Sequence, residues 1–235
     1  MIISAQNEWI FEKENGEKIH PKAASRCLFN GKSLTAEGTA ERINLQKDMS
    51  YIRFDCTNAY GDEILHAERI WVELRGHMMF AVTRIQAAIP IKPISRFAVN
   101  NGDGAADIRI FHDNRVVVRR DGFGIKILPC EMLGINEVMN DGKGSAGDFS
   151  LEHPINGEVS LHDFKATKFS TSYVGAFAII QDVEPMIRTW HLYNIDERCC
   201  QINPKDNMGR LSITITSEDN IVVQDTHTAG TFTID

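Results

Sequence analysis

The chain reads as a mostly β protein of antiparallel sheets, and three observations predict that class. Short β-branched segments recur at Arg109–Phe111, Val116–Arg119, Ser212–Thr216, Ile221–Val223 and Thr231–Ile234. Asp-Asn, Asp-Gly and Gly-rich breaks separate them, which is the turn chemistry of hairpins. Apolar and polar residues alternate over Ser50–Thr57, with Ile52, Phe54 and Cys56 on one side and Tyr51, Arg53, Asp55 and Thr57 on the other. That period of two marks a half-buried strand. The expected architecture is a two-sheet sandwich, a jelly-roll-like fold or two stacked β modules, with few short helices.

The elements follow in order. Residues 8–20 form a hairpin around Asn15-Gly16, a pair suited to a type I′ turn. Asn30-Gly31 marks a second hairpin, between Ser25–Phe29 and Lys32–Thr35. Ala36–Leu45 is expected as a short helix. Glu63–Leu74 fits a helical stripe or a strand, and its β-branched content favours the strand. Strands at His77–Ile85 and Ser95–Val99 are joined through Pro90 and Pro93, which make a stiff connection. Residues 100–107 read as a loop. Ile108–Phe111 and Arg115–Arg119 then form a hairpin, followed by a strand at Gly122–Leu128 and a short helix at Glu131–Met139. Further strands are expected at Glu158–Leu161, Tyr173–Gln181, Met186–Tyr193 and Leu211–Thr216. The last segment, Thr231–Ile234, is expected to pair in its own sheet or on a neighbouring subunit.

Residues 134–148 are rich in Gly, Asn and Asp and read as a linker or loop. They separate a β domain at 1–133, with 18 Lys/Arg against 17 Asp/Glu, from an acidic β-rich half at 149–235. From 134 onward there are 7 Lys/Arg against 15 Asp/Glu, so the net charge of −7 resides in that part. One continuous domain is the alternative. An acidic C-terminal half disfavours direct nucleic-acid binding. The 235 residues suffice for a core without disulfide or metal. No apolar run approaches the roughly 18 residues of a membrane span. Residues 1–8 lack a basic region followed by an apolar one, so no signal peptide is expected and synthesis is expected to be cytoplasmic. The five cysteines, an odd number, fit free thiols.

Candidate chemistry is sparse. Gly142-Lys143-Gly144-Ser145-Ala146-Gly147 has dinucleotide-site spacing but no helix opening after it. Asp141 to Glu152 has the span of a calcium loop but lacks the central glycine. Asp103 and Asp107 are a weak candidate pair for a hard cation. His66-Ala67-Glu68 matches part of a zinc-deaminase motif, yet no Cys-x-x-Cys accompanies it. His112-Asp113 and His162-Asp163 each offer a base beside a carboxylate. No catalytic set and no cofactor follows from these. Arg109, Arg115, Arg119 and Arg120 would form a cationic strip on a hairpin. Trp71, Trp190 and Tyr193 are aromatic candidates for a sugar or a protein interface.

The leading expectation is a non-enzymatic structural protein that assembles, as a homo-oligomer or with other subunits, into a larger particle. A phage or virus virion component is its most concrete form. The alternative is a ligand-binding β module, most concretely for carbohydrate, using the Trp and Tyr residues and the two Gly/Asp loops; the candidate binding residues of the chain are Trp190, Tyr193, Trp71, Arg109 and Arg119. A further alternative is an enzyme on a β scaffold, with His112, Asp113 or His162 in its site.

Overall fold

The computed structural model describes residues 3–4, 9–19, 39–46, 49–74, 78–101, 103–111, 115–130, 135–145, 158–183, 191–196, 199–203, 211–216, 220–226 and 230–234. Their strands, in chain order, are β1 (Ile3–Ser4), β2 (Trp9–Lys13), β3 (Lys18–Ile19), β4 (Thr39–Gln46), β5 (Met49–Asp55), β6 (Ile64–Leu74), β7 (Met78–Asn100), β8 (Asp107–Ile110) and β9 (Val116–Arg120). Then come β10 (Phe123–Cys130), β11 (Ile135–Ser145), β12 (Glu158–Ala166), β13 (Ser170–Val183), β14 (His191–Asp196), β15 (Cys199–Asn203), β16 (Leu211–Ile215), β17 (Ile221–Asp225) and β18 (Gly230–Ile234). A short 3₁₀ turn lies at Thr57–Ala59. The strand ladders are antiparallel, and they form two sheets. The fold is mostly β and sandwich-like, as the sequence predicts.

The larger sheet is organised by β7. Its first half lies between β6 and β13, in the order β4-β5-β6-β7-β13-β10-β9-β8. Its second half pairs instead with β2 and β12, and β3 and β11 extend those strands. The change of partners falls where the β13 register jumps from Ser172 opposite Gln86 to Ser170 opposite Ile91. Pro90 lies in that skipped stretch. A residue without an N–H belongs where the ladder needs no donor. The two prolines therefore bend one long strand instead of separating two.

The bend folds the sheet over itself. Phe97 on β7 and Phe164 on β12 reach Phe177 on β13, with ring centroids 5.1 and 4.9 Å apart. Phe11, Ile91 and Val99 from the folded-over arm join Trp71, Ala81, Ile125, Ile127 and Ile179 in one core. A second core fills the opposite face of the central strands. There Ile70, Val72, Phe80, Val82, Ala176 and Ala178 meet Ile202, Leu211, Ile213, Ile221, Val223 and Ile234 of the five-stranded sheet β14–β18. The central strands are thus covered on both sides. This accounts for the unbroken apolar run Tyr173–Ile180, every residue of which is buried. An alternating pattern belongs only to strands with one wet face.

Several expectations are corrected. The described parts of the helices expected at Ala36–Leu45 and Glu131–Met139 are strands instead: Thr39–Gln46 pairs with β5 and Ile135–Ser145 with β12. Cross-strand pairing overrides local helix propensity there. Ile135–Ser145 also replaces most of the linker expected over 134–148, and strands from both sides of it share one sheet. The Asn15-Gly16 hairpin exists, but only Gly16 has a positive φ, 81°. The Gly16 amide donates to the Lys13 carbonyl and the Lys13 amide to the Glu17 carbonyl, each at 2.9 Å, so the loop is a type I turn closed by a glycine bulge. The Asn30-Gly31 turn lies outside the described residues. The terminal segment pairs with β17 in its own sheet.

Candidate functional site

The most distinctive polar surface lies on β8, β9, β10 and β13, and local turn chemistry sets it up. Val116-Val117-Val118 favours a strand because β-branched side chains fit a pleated surface. Asp121 and Gly122 both have positive φ, 52° and 78°, and Arg120 pairs with Phe123 across them. This two-residue loop is the type I′ turn that matches strand twist. It fixes the register that places Arg119 opposite Gly124, and Gly124 opposite Asp182. On the other side the Asn101 side chain closes the preceding loop. Its Oδ1 accepts from the Ala106 amide at 2.9 Å, and its Nδ2 donates to the Ala106 carbonyl at 3.3 Å. Strand β8 then begins with Asp107 opposite Arg119 and Arg109 opposite Val117.

One face therefore carries Asp107 and Arg109 on β8, Val117 and Arg119 on β9, and Lys126 on β10 next to Val117. Val117 and Lys126 are buried, Arg119 is half-buried, and Asp107 and Arg109 are exposed. The Arg109 guanidinium clasps Asp107 along one edge, Nε to Oδ1 at 3.2 Å and Nη2 to Oδ2 at 3.0 Å.

The expected four-arginine strip divides. Arg109 and Arg119 are diagonal neighbours on this face. Arg120, one residue on from Arg119, turns to the opposite face, in line with Phe123, and pairs with Asp103 and Asp121. Arg115 sits at the hairpin end with its guanidinium 4.4 Å from the Phe111 ring centroid. The weak cation pair Asp103 and Asp107 also divides, since each is engaged by a different arginine. The Ala105 amide, helped by Arg120, holds the Asp103 carboxyl below the usual carboxylate range. Among the described residues no group of three potential metal ligands comes together.

The other candidates fall elsewhere. Trp71 is buried in the inner core with the Arg69 guanidinium 5.8 Å from its ring, so it offers no stacking surface. Trp190, His112 and Asp113 lie outside the described residues. Tyr193 takes a register position opposite Gln201 on β14. His162 is 1% exposed, two residues before the buried Phe164 on the same face of β12. Cys199 Sγ accepts from the Thr214 hydroxyl at 3.3 Å.

A second charged cluster escapes a motif search because its members are far apart in sequence. Glu68, buried on β6, contacts Arg53 on β5 at 3.3 Å and Arg84 on β7 at 3.2 Å. Arg84 also donates to the Ile234 carbonyl of β18 at 3.4 Å, tying the second sheet to the first. Its position between the sheets makes it a structural clasp.

No protein-family model matches the chain, and no curated protein sequence is significantly similar to it. Similarity appears among solved structures. A heparinase III gene product matches with a TM-score of 0.53 and 9% identity, over 94% of this chain and 35% of its own. Its form with methylated lysines gives 0.52 at 9% identity, over 94% and 34%. Heparan sulfate lyase HepC from Pedobacter heparinus gives 0.50 at 8% identity, over 84% and 28%. The likeness is one of fold, an antiparallel sandwich-like β region. The chain spans about a third of the length of these proteins.

Proposed function

We propose that the chain is a binding module for an anionic polysaccharide, engaged through the Arg109–Arg119 face. The observation that carries the reading is the Arg109 guanidinium: exposed on an edge strand, already ordered to make the paired N–H contacts that carboxylates and sulfates accept. Arg119 adds charge behind it, and Lys126 lies buried in the same face. The face belongs to the part of the chain with a net charge of +1, at 1–133, so a polyanion is repelled least there. The likeness of fold to proteins named for heparin and heparan sulfate supports the same ligand class. Trp71, held in the core, takes no part.

The test is retention on immobilised dextran sulfate at about 50 mM NaCl, where charge contacts are weakly screened. Neutral dextran is the control. The wild type is expected to be retained, and Arg109→Gln to lose most of that retention. Absence of wild-type retention, or equal retention by Arg109→Gln, would overturn the reading.

Self-association has one specific support. Phe123 and Val183 are paired across the β10–β13 ladder and are both exposed, at 49% and 44%. Adjacent exposed apolar side chains are a common feature of subunit contacts. Light scattering across a concentration series tests it: a mass that stays monomeric, unchanged by Phe123→Ser, removes the assembly reading.

A further inference from the structure

The polysaccharide face already contains an anion of its own. Asp107 fills the Arg109 fork with two nearly parallel contacts. Among the described residues, Asp107 and Arg109 have no other polar partners. Asp103, by contrast, is fixed by the Ala105 amide as well as by Arg120. Asp107 is also placed opposite a second guanidinium, since its ladder partner on β9 is Arg119. Directly opposed residues have Cβ atoms about 5 Å apart. One χ1 step between staggered wells moves a short carboxylate from a neighbour on its own strand to one across the ladder.

We infer that Asp107 is a displaceable occupant of the anion site: it holds the Arg109 fork in the unliganded protein and passes to Arg119 when a ligand anion enters. The inference rests on the binding reading above and names the regulation of the same site. An exposed ion pair is weak, so a multivalent ligand displaces it readily. The transfer keeps Asp107 paired during binding and lessens its repulsion of the incoming charge. Monovalent anions at low concentration lack the avidity to open the fork, so the arrangement selects polymers over single ions.

Calorimetric titration with dextran sulfate, and in parallel with polygalacturonate, separates sulfate from carboxylate ligands. Asp107→Asn is expected to bind about threefold or more tighter than wild type, because competitor and repulsion are both removed. Asp107→Glu should stay near wild type. Arg119→Gln is expected to cost at least twice as much affinity in the wild-type background as in Asp107→Asn, since only the wild type needs a receiver for the displaced carboxylate. Equal costs in both backgrounds would mean a simple charged patch and overturn the transfer. If Asp107→Asn binds no tighter while Arg109→Gln abolishes binding, Asp107 is not a competitor and the binding reading stands. If neither wild type nor Asp107→Asn binds either polymer, both readings fall. Tighter binding by Asp107→Asn that survives Arg109→Gln refutes the fork as the receptor. The three side chains, Asp107, Arg109 and Arg119, are exposed or half-buried, and urea midpoints confirm that each variant folds.

Discussion

Replacing Glu68 with Gln removes the carboxylate that Arg53 and Arg84 share while keeping volume and one acceptor. The Glu68 side chain is 9% exposed, Arg84 16% and Arg53 27%, so the charges are largely out of water. Breaking a buried pair by deleting one partner costs about 3–5 kcal/mol, because the survivors remain charged and desolvated. Arg53 recovers some hydration at its exposure, which places the expected loss near the lower end, about 3 kcal/mol. With a urea m-value of about 3 kcal/mol/M, the midpoint moves down by about 1 M. Urea unfolding followed by tryptophan fluorescence reads this directly, since Trp71 is buried in the core that unfolds. The deficit should change little in 0.5 M NaCl, because burial limits screening. Amide exchange should rise at β18, whose Ile234 carbonyl receives Arg84. Replacing all three residues by apolar ones of similar volume should restore most of the loss. A loss below about 1 kcal/mol, or one erased by salt, would show the clasp behaves as a solvated pair and refute the argument.

Three further outcomes follow from single sites. Gly175→Ala is expected to cost about 1–3 kcal/mol by overpacking, since a Cβ there would stand 2.7 and 2.9 Å from carbons of the buried Tyr173 ring; an unchanged urea midpoint would contradict the packing. Ser95→Ala should leave the midpoint unchanged or raise it slightly, because the buried Ser95 hydroxyl has no partner among the described residues. Burial raises the Asp55 carboxyl, but the Thr57 hydroxyl and amide at 2.6 and 2.9 Å, with His66, bring it below its ordinary 3.8. A carboxylate depressed on folding stabilises fully above its unfolded value and loses that contribution as pH falls through the folded one. Stability should therefore decline below about pH 4, and less steeply in Asp55→Asn; identical acid limbs in the two proteins would exclude the assignment.

The β class was legible because turn and strand chemistry agreed along most of the chain. The Asp-Gly breaks read as turns, and Asp121-Gly122 proves to be one, with Gly122 in the loop instead of opening the strand expected at Gly122–Leu128. Ile64–Leu74 was correctly placed as a strand through its β-branched content. Thr39–Gln46 and Ile135–Ser145 were misjudged because their stabilising partners lie on other strands, invisible to a local window. Pro90 and Pro93 read as a stiff connection between two strands, whereas one strand continues through them. Of the candidate site, the placement of Arg109 and Arg119 on one face was partly foreseeable from the hairpin, and their split from Arg120 follows from the two-residue period of a strand. The burial of Trp71 was not, because it depends on the arm that folds over it. Glu68 and its arginines are brought together by strand register alone.

The position of β13 between β7 and β10 has a consequence for biosynthesis. When β10 leaves the ribosome, the strand that will join it to β7 has not yet been made. The 53 residues from 131 to 183 take roughly 3–10 s to translate at about 5–20 residues per second. For that interval two apolar strands have edges still open, each a template for the wrong partner. Synthesis rate and chaperone occupancy in this window should therefore govern soluble yield more than the stability of the finished protein does.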